Sequence, residues 1–198
     1  MTANPRATEL IDLDCRRCGL CRGRRQVVPA EGLRSARLFL VGEAPGPDED
    51  REGRPFVGRA GRILRRCLQA AGVPAVDAWI SNAVKCFPNE ASNGKRRIRR
   101  PRRDEQDACR AFLASELEVV DPRLVVAVGA TAVEALTGRR DVRLTRDHGT
   151  LLPSRPELGG RDVFVTFHPS GLRYGHASER DLVVDLGRAY SMAMAQLD

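Results

Sequence analysis

The chain has 198 residues, and its formal net charge is +7 because 33 lysine and arginine residues outnumber 26 aspartate and glutamate residues. Its longest apolar runs fall well short of the ~20 residues that cross a bilayer, and residues 1–14 lack the apolar core of a secretory signal. We therefore predict a cytoplasmic protein with no membrane partner. The positive charge favours DNA or RNA as a partner. The alternative is a basic surface that only reflects the arginine usage of a GC-rich genome.

In chain order, short apolar runs predict strands at residues 37–42, 78–84, 124–129 and 162–167. Helical spacing of apolar residues predicts helices at 58–71, 103–120, from 131 onward, and at 181–197. Strands that alternate with helices need crossover connections, so the sheet should be mostly parallel with helices on both faces. The predicted fold class is α/β, a three-layer α/β/α sandwich around a central four-stranded sheet.

One domain over residues 1–198 accounts for this pattern, since the length suits a single core. Residues 1–12 are expected to be flexible. Residues 92–103 begin glycine-rich and are then almost wholly basic, so we predict an exposed loop there.

The cysteine spacing indicates a metal or cluster site. Cys15 and Cys18 form a CxxC pair, Cys86 ends the second predicted strand, and Cys109 lies in the following helix. One close pair and two distant thiols can build a four-sulfur site, but thiolates alone do not separate Zn²⁺ from a [4Fe–4S] cluster. Buried thiols without a ligand are the alternative.

The chain has six cysteines, so two remain outside this set. Cys67 lies on the apolar face of a predicted helix and should be core packing. Cys21 is an alternative to Cys18 as a ligand.

Polar residues follow three of the predicted strands, where an open α/β sheet binds its ligands. Glu43 offers a general base or support for positive charge, Asn82 offers a donor and an acceptor to a base edge, and the N–H of a neutral His168 could stabilise an oxyanion. Each has a structural alternative: a helix cap for Glu43, a turn residue for Asn82 and a hydrogen-bonded structural histidine for His168.

Two further features belong to this predicted pocket. Gly42 and Gly46 allow tight turns beside a ligand. Phe56, in a glycine-flanked loop, could stack on a flat base or anchor that loop in the core. His148 is interpreted as structural. The acidic run after Gly46 would repel phosphate unless Arg51 and Arg54 offset it.

Taken together, these motifs resemble the uracil-DNA glycosylase superfamily, and family 4, the iron–sulfur type, in particular. The residues that carry the resemblance are Gly42-Glu43-Ala44-Pro45-Gly46, Gly53-Arg54-Pro55-Phe56-Val57-Gly58, Asn82-Ala83-Val84-Lys85-Cys86 and His168-Pro169-Ser170. The resemblance implies a DNA repair enzyme that flips uracil out of single- or double-stranded DNA and cleaves its N-glycosidic bond. Nothing in the sequence suggests an obligate partner helix, so we expect a monomer.

The resemblance also implies roles for individual residues. Cys15, Cys18, Cys86 and Cys109 would hold a [4Fe–4S] cluster. Phe56 would stack on uracil and Asn82 would read its edge, with Ala44 and Gly46 lining the pocket. His168 would stabilise charge on uracil O2, and Glu43 would position water or stabilise the oxocarbenium ion. Ser170, Leu172 and Arg173 would contact DNA, with Leu172 as the wedge, although Arg173 stands one place earlier than the family pattern.

The basic segment narrows the resemblance. Residues 94–99, with Lys95, Arg96, Arg97 and Arg99, resemble the signature loop of the UdgX branch, in which a final histidine becomes covalently attached to uracil-DNA. Arg99 stands at that place, and a guanidinium is permanently protonated and no nucleophile. We therefore predict water attack with turnover, or a phosphate clamp at Arg99 that slows release.

Three alternatives remain at this point. The chain could be a tight uracil-DNA binding protein of UdgX type with little turnover, or a cluster-containing redox sensor that acts on nucleic acid. The basic segment itself could be a merely solvated run of charge.

Overall fold

A computed structural model describes residues 7–92, 95–175 and 177–195, with the backbone alone at 91–92, 95–96 and 173–174. The strands are β1 Leu38–Gly42, β2 Ala78–Asn82, β3 Asn89–Ser92, β4 Lys95–Ile98, β5 Leu124–Val128, β6 Leu151–Pro153 and β7 Asp162–Thr166. The helices are α1 Pro47–Glu52, α2 Arg59–Ala70, α3 Arg103–Val120, α4 Ala130–Thr137, α5 Leu144–Asp147 and α6 Glu179–Ala195. None of the helices in the described part of the chain has the length and apolar character that a membrane crossing requires.

The main sheet has five strands in the order β2-β1-β5-β7-β6. The first four are parallel, and β6 runs antiparallel to β7 at the edge. From β1 the chain moves outward to β2 on one side and later returns to β5 on the other. Strand order therefore reverses between β1 and β5, and a crevice opens at that point, at the carboxyl ends of the strands.

Helices cover both faces of this sheet, which confirms the three-layer α/β/α prediction. Alternate residues of a strand point to opposite faces. Phe39 of β1 packs in a core with Leu113 of α3 and Leu136 of α4. Its neighbour Leu40 packs in the other core, which includes apolar residues of α2 and α6.

The strand count was predicted as four, and the structure corrects it to five. β6 was missed because it has three residues, none of them buried, so no apolar run marks it. The second strand ends at Asn82 rather than at residue 84, so Cys86 does not end a strand but lies four residues beyond it. The closing helix spans Glu179–Ala195; residue 197 of the predicted helix lies outside the described residues.

The basic segment differs from prediction too. Instead of a loop, β3 and β4 pair antiparallel as a hairpin, with Asn89 opposite Ile98 and Ser92 opposite Lys95. Its residues are polar and basic, so the alternation of apolar and polar side chains that signals a strand is absent.

A third core cluster lies beside β2 and contains three of the predicted cysteine ligands. Ile11, Leu20 and Val27 of the amino-terminal segment pack there against Val84 and Phe112. This cluster attaches the amino-terminal segment to α3 and to the chain after β2.

Candidate active site

A large pocket opens at the carboxyl ends of the parallel strands, at the reversal in strand order. Its lining includes all four polar or aromatic residues expected there, Glu43, Phe56, Asn82 and His168, together with Ala44 and Gly46. Its volume is about 1330 Å³, whereas pockets for single small ligands measure about 300–1,000 Å³. The pocket therefore has room for more than one flat base.

Gly42 brings Phe56 and Asn82 together. It is the last residue of β1 and pairs with Asn82 in the neighbouring strand. A Cβ atom at Gly42 would lie 2.3 Å from Cζ of Phe56 and 2.6 Å from Oδ1 of Asn82. Only glycine fits here, so the ring and the amide share one small space at the base of the pocket.

The Asn82 side chain is held in a buried position without using its hydrogen-bonding groups. The residue is 3% exposed, yet among the described residues no group hydrogen-bonds its amide. Buried polar side chains nearly always have a partner, and a turn asparagine would bond to nearby backbone. The donor and the acceptor of Asn82 are therefore both available to a ligand.

Phe56 has a strained backbone that its surroundings hold in place. Its φ is 53°, in the left-handed region, which costs a non-glycine residue about 1–3 kcal/mol. Nε of Arg65 donates to the Phe56 carbonyl at 3.2 Å. Gly61 of α2 has room for no side chain, since its Cβ would lie 1.9 Å from that oxygen. The ring packs in the core and also lines the pocket.

Glu49 joins the two loops of this region. Its Oε1 accepts hydrogen bonds from the backbone N–H groups of Val57 at 2.9 Å and Gly58 at 2.8 Å, and its Oε2 accepts from Gly46 at 3.0 Å. Glu49 and Asp50 are buried in α1. The acidic run after Gly46 is thus partly structural, and these two carboxylates do not form the exposed acidic surface that we expected to repel phosphate.

His168 is oriented by Ser170. The Ser170 backbone N–H donates to Nδ1 of His168 at 3.2 Å, and the Ser170 hydroxyl lies 2.7 Å from the same nitrogen. Burial lowers the pKa of His168 below its usual value, and the nearby carboxylates of Glu43 and Glu49 offset only part of that shift. The ring is therefore neutral with its proton on Nε2. Its centroid lies 6.2 Å from that of Phe56.

Gly129 makes room for this histidine. A Cβ at Gly129 would lie 2.7 Å from Cβ of His168, and φ of +99° also favours glycine there. His148, by contrast, bonds to the buried Asp185 through Nδ1 at 3.0 Å, which confirms its structural interpretation.

Two residues that the sequence analysis missed contact Glu43. Oγ1 of Thr131 donates to Oε2 of Glu43 at 2.5 Å. Nε and Nη2 of Arg100 donate to the same hydroxyl oxygen at 3.2 and 2.8 Å, and Nε lies 3.9 Å from Glu43 Oε2. The sequence does contain a signal for Thr131, because this polar residue follows β5 at the same edge of the sheet as Asn82 and His168.

Arg99 does not line the pocket. Its guanidinium bonds to both carboxylate oxygens of Glu105, at 2.8 and 2.6 Å, and its side chain is 18% exposed. Burial raises the pKa of Glu105, but the hydrogen bonds from Arg99 and from the Arg102 backbone outweigh it and lower that pKa. On either side of Arg99 in sequence, Ile98 and Arg100 do line the pocket.

The other predicted DNA contacts are distributed around the rim. Ser170 and the half-buried Leu172 line the pocket, and Leu172 also packs against the core between the sheet and α2 and α6. Arg97 is exposed on β4. The side chains of Lys95, Arg96 and Arg173 lie outside the described residues.

The four predicted cysteine ligands lie in one region. Cys15, Cys86 and Cys109 are buried in the third core cluster, and the half-buried Cys18 packs against it. Burial raises the pKa of Cys86 to about 12 and that of Cys109 to about 11, and the proximity of Cys18 contributes to both shifts. Nη1 of Arg24 donates to Sγ of Cys86 at 3.4 Å.

Burial raises the pKa of Cys18, and its neighbours Cys15 and Cys21 add to that shift. Cys67 packs in the core of the other sheet face, as predicted. Within the described ranges, no three histidine, cysteine or acidic side chains are close enough to hold one metal ion.

Comparison with known proteins gives one family. The family model for the uracil DNA glycosylase superfamily matches residues 29–186. The type-4 uracil-DNA glycosylase of Thermotoga maritima is 38% identical over 179 residues, which cover 89% of this chain and 88% of that protein. The type-4 enzyme of Pyrobaculum aerophilum is 36% identical over 80% and 79% of the two chains. A type-5 uracil-DNA glycosylase of Thermus thermophilus is 32% identical over 72% and 68%.

Proposed function

The chain belongs to the uracil DNA glycosylase superfamily, and we propose that it removes uracil from DNA by cleaving the N-glycosidic bond with water, which leaves an abasic site for base excision repair. One observation carries this proposal: a single pocket contains an aromatic ring, an unpaired buried amide, a neutral imidazole and a carboxylate. These groups suit a flat, polar base that has left the helix.

Recognition begins when the base leaves the stack, because an enzyme cannot reach the glycosidic bond of a paired base otherwise. Phe56 offers its ring to the flipped uracil. Asn82 donates to uracil O4 and accepts from N3–H, and both of its groups are free to do so. Ala44 and Gly46 supply the backbone wall of the pocket.

Cleavage needs charge stabilisation on both fragments. The C1′–N1 bond breaks with its electron pair passing to uracil, and the negative charge spreads from N1 to O2. Nε2–H of His168 donates to O2. Glu43 stabilises the positive sugar and orients the water, whose oxygen bonds to C1′ while its proton leaves to the carboxylate or the solvent.

We propose that Cys15, Cys18, Cys86 and Cys109 hold a [4Fe–4S] cluster, and that its role is structural. These four cysteines support the proposal because their thiols are clustered and largely buried, and because Arg24 donates to one of them, Cys86. Four thiolates suit Zn²⁺ as well as a [4Fe–4S] cluster, and iron with acid-labile sulfide in the purified protein, without zinc, would identify the cluster. A bound cluster would supply a cross-link among three segments of the chain.

Covalent capture of the UdgX kind is not part of this proposal. Residue 99 is arginine rather than histidine, and its side chain bonds to Glu105 instead of lining the pocket. Arg100, which does line the pocket, is equally unable to act as a nucleophile. Water attack with repeated turnover follows.

The basic hairpin and the segment after His168 would contact the DNA backbone, through Lys95, Arg96, Arg97, Ser170, Leu172 and Arg173. We propose that the enzyme acts as a monomer.

The test is incubation of purified protein with excess oligonucleotide carrying one uracil, single- or double-stranded, followed by alkaline cleavage and by a denaturing protein gel. We expect several strand breaks per protein molecule and no shifted protein band. A thymine oligonucleotide and the Glu43→Gln variant control for other nucleases. Tight, uracil-specific binding without an abasic product would overturn the proposal, as would a stable covalent band.

A further inference from the structure

We propose that Arg100 and Thr131 form a positioning relay for Glu43: Arg100 binds a DNA phosphate and, through the Thr131 hydroxyl, links that contact to the orientation of the carboxylate. This inference rests on the proposed glycosylase function. It concerns how the enzyme couples recognition of the DNA backbone to the cleavage step.

The hydroxyl of Thr131 is fully used between its two neighbours. A threonine hydroxyl has one donor and two acceptor positions. Its proton goes to Oε2 of Glu43 at 2.5 Å, and its lone pairs receive Nε and Nη2 of Arg100 at 3.2 and 2.8 Å. Thr131 is 2% exposed and stands on the first turn of α4. Thr131 therefore holds one carboxylate oxygen of Glu43, Oε2, in a fixed position and leaves Oε1 for water.

Arg100 is suited to report on the DNA. Its side chain is 66% exposed and lines the pocket. Of its three guanidinium nitrogens, Nη1 is not used in the bonds to Thr131. An arginine with free N–H groups at the mouth of a pocket for a flipped nucleotide matches the phosphate next to that nucleotide. Arg99 cannot take this place, because both carboxylate oxygens of Glu105 already bind it.

The relay separates binding from cleavage, so the two can be measured apart. In single-turnover reactions with protein in excess, the saturating rate constant reports cleavage and the half-saturating protein concentration reports binding. Thr131→Val removes the hydroxyl at nearly constant shape. We expect cleavage to slow by about 10- to 100-fold, the size expected when a reacting group is misplaced, with binding unchanged. Thr131→Ser keeps the hydroxyl and should restore the rate.

Arg100→Gln should weaken binding to single-stranded DNA and reduce the slope of log affinity against log salt by about 0.7, the value for one phosphate contact. It should also slow cleavage. Arg140→Gln is the matched control. Arg140 follows the carboxyl end of α4, is exposed and bonds to Glu134 of that helix. The helix is about 12 Å long at 1.5 Å per residue, and Thr131 stands at its other end. The control should alter neither quantity.

The double variant decides whether the two residues act as one unit. If Arg100 works through Thr131, adding Arg100→Gln to Thr131→Val weakens binding but slows cleavage no further. Losses that multiply would overturn the relay, and so would a Thr131→Val protein that folds, by thermal unfolding, and cleaves at the original rate. An Arg100→Gln protein that matches Arg140→Gln would overturn the phosphate contact. If the unaltered protein released no uracil, the proposed function and this inference would fall together.

Discussion

Asn82 shows how a single side chain can set the choice of base. Its amide presents a donor and an acceptor that no described protein group uses, although the residue is only 3% exposed. Asn82→Asp replaces the donor with a second acceptor, which faces uracil O4 unpaired. An unmatched buried polar group costs about 1–3 kcal/mol, so we expect uracil cleavage to slow by about 10- to 100-fold. Rates on matched uracil and cytosine oligonucleotides measure this, and unchanged selectivity would remove Asn82 from base recognition.

His168 gives a prediction that depends on pH. Because burial lowers its pKa, the imidazole should titrate below the ordinary value of about 6.5. The unfolded chain binds the proton first as pH falls, so His168 contributes less to stability below that value and its contribution is complete above it. The neutral ring that donates from Nε2 should persist at neutral pH.

Proton NMR of the histidine ring signals, assigned with His168→Gln, tests this directly. The His168 midpoint should lie below the ordinary value, while an exposed histidine in a short peptide provides the reference. A midpoint at or above the reference would contradict the assignment of a neutral imidazole as the donor to uracil O2.

Individual site residues could be predicted from the sequence where a chemically suitable residue type stands at the end of a strand. Glu43, Asn82 and His168 were identified in this way, and all three line one pocket. The hydrogen-bond partner of each side chain could not be predicted from the sequence. Arg99 and Arg100 are adjacent and chemically identical, yet one bonds to Glu105 and the other to Thr131. Which arginine reaches the pocket depends on the path of the backbone through β4.

At the level of elements, α1 and the Phe56 loop depend on each other through Glu49. Glu49→Gln replaces one carboxylate oxygen with an NH₂ group, which cannot accept from the N–H groups of Gly46, Val57 or Gly58. We expect a loss of about 1–3 kcal/mol in the free energy of unfolding, because backbone donors lose a partner. Cleavage should also fall, because the strained Phe56 backbone loses support on one side.

Glu52→Gln on the same helix is the matched control, since Glu52 is exposed and pairs only with Arg51 among the described residues. Thermal unfolding and single-turnover cleavage measure both variants. If Glu49→Gln behaved like Glu52→Gln, the loop would owe its conformation to Arg65 and Gly61 alone.

Elements were predictable where burial imposed a pattern. The helix at 103–120 was predicted with the bounds it has, because its apolar residues recur at helical spacing. The strands β3, β4 and β6 were missed because none of their described side chains is buried, so burial imposes no such pattern. In the hairpin the pairing comes from backbone hydrogen bonds between polar residues, which the sequence does not signal.

At the scale of the whole molecule, the cysteine region contributes to the attachment of the amino-terminal segment. This segment has little regular structure and contributes Ile11, Cys15 and Leu20 to a small core beside β2. Small cores often need a metal to be stable. The [4Fe–4S] proposal therefore carries a structural expectation: loss of one ligand should loosen the segment and α3 while the sheet and the pocket residues remain.

Cys86→Ser is the variant that tests this. Cys86 is buried beside Cys109 with Arg24 as its donor, and a serine is a much poorer ligand for iron. We expect the purified protein to lose most of its iron and acid-labile sulfide, and to unfold at a lower temperature. Cys21→Ser is the control, since Cys21 lies outside the proposed ligand set. It should keep both elements at the unaltered level.

The cleavage rate then separates a structural cluster from a reactive one. Neither Glu43 nor His168 belongs to the cysteine region, so any Cys86→Ser protein that remains folded should cleave uracil-DNA at a rate near that of the unaltered protein, with faster proteolysis of the amino-terminal segment. A folded, iron-free variant with intact binding but no cleavage would assign the cluster a part in the reaction. Loss of iron from Cys21→Ser instead would exchange Cys18 for Cys21 in the ligand set.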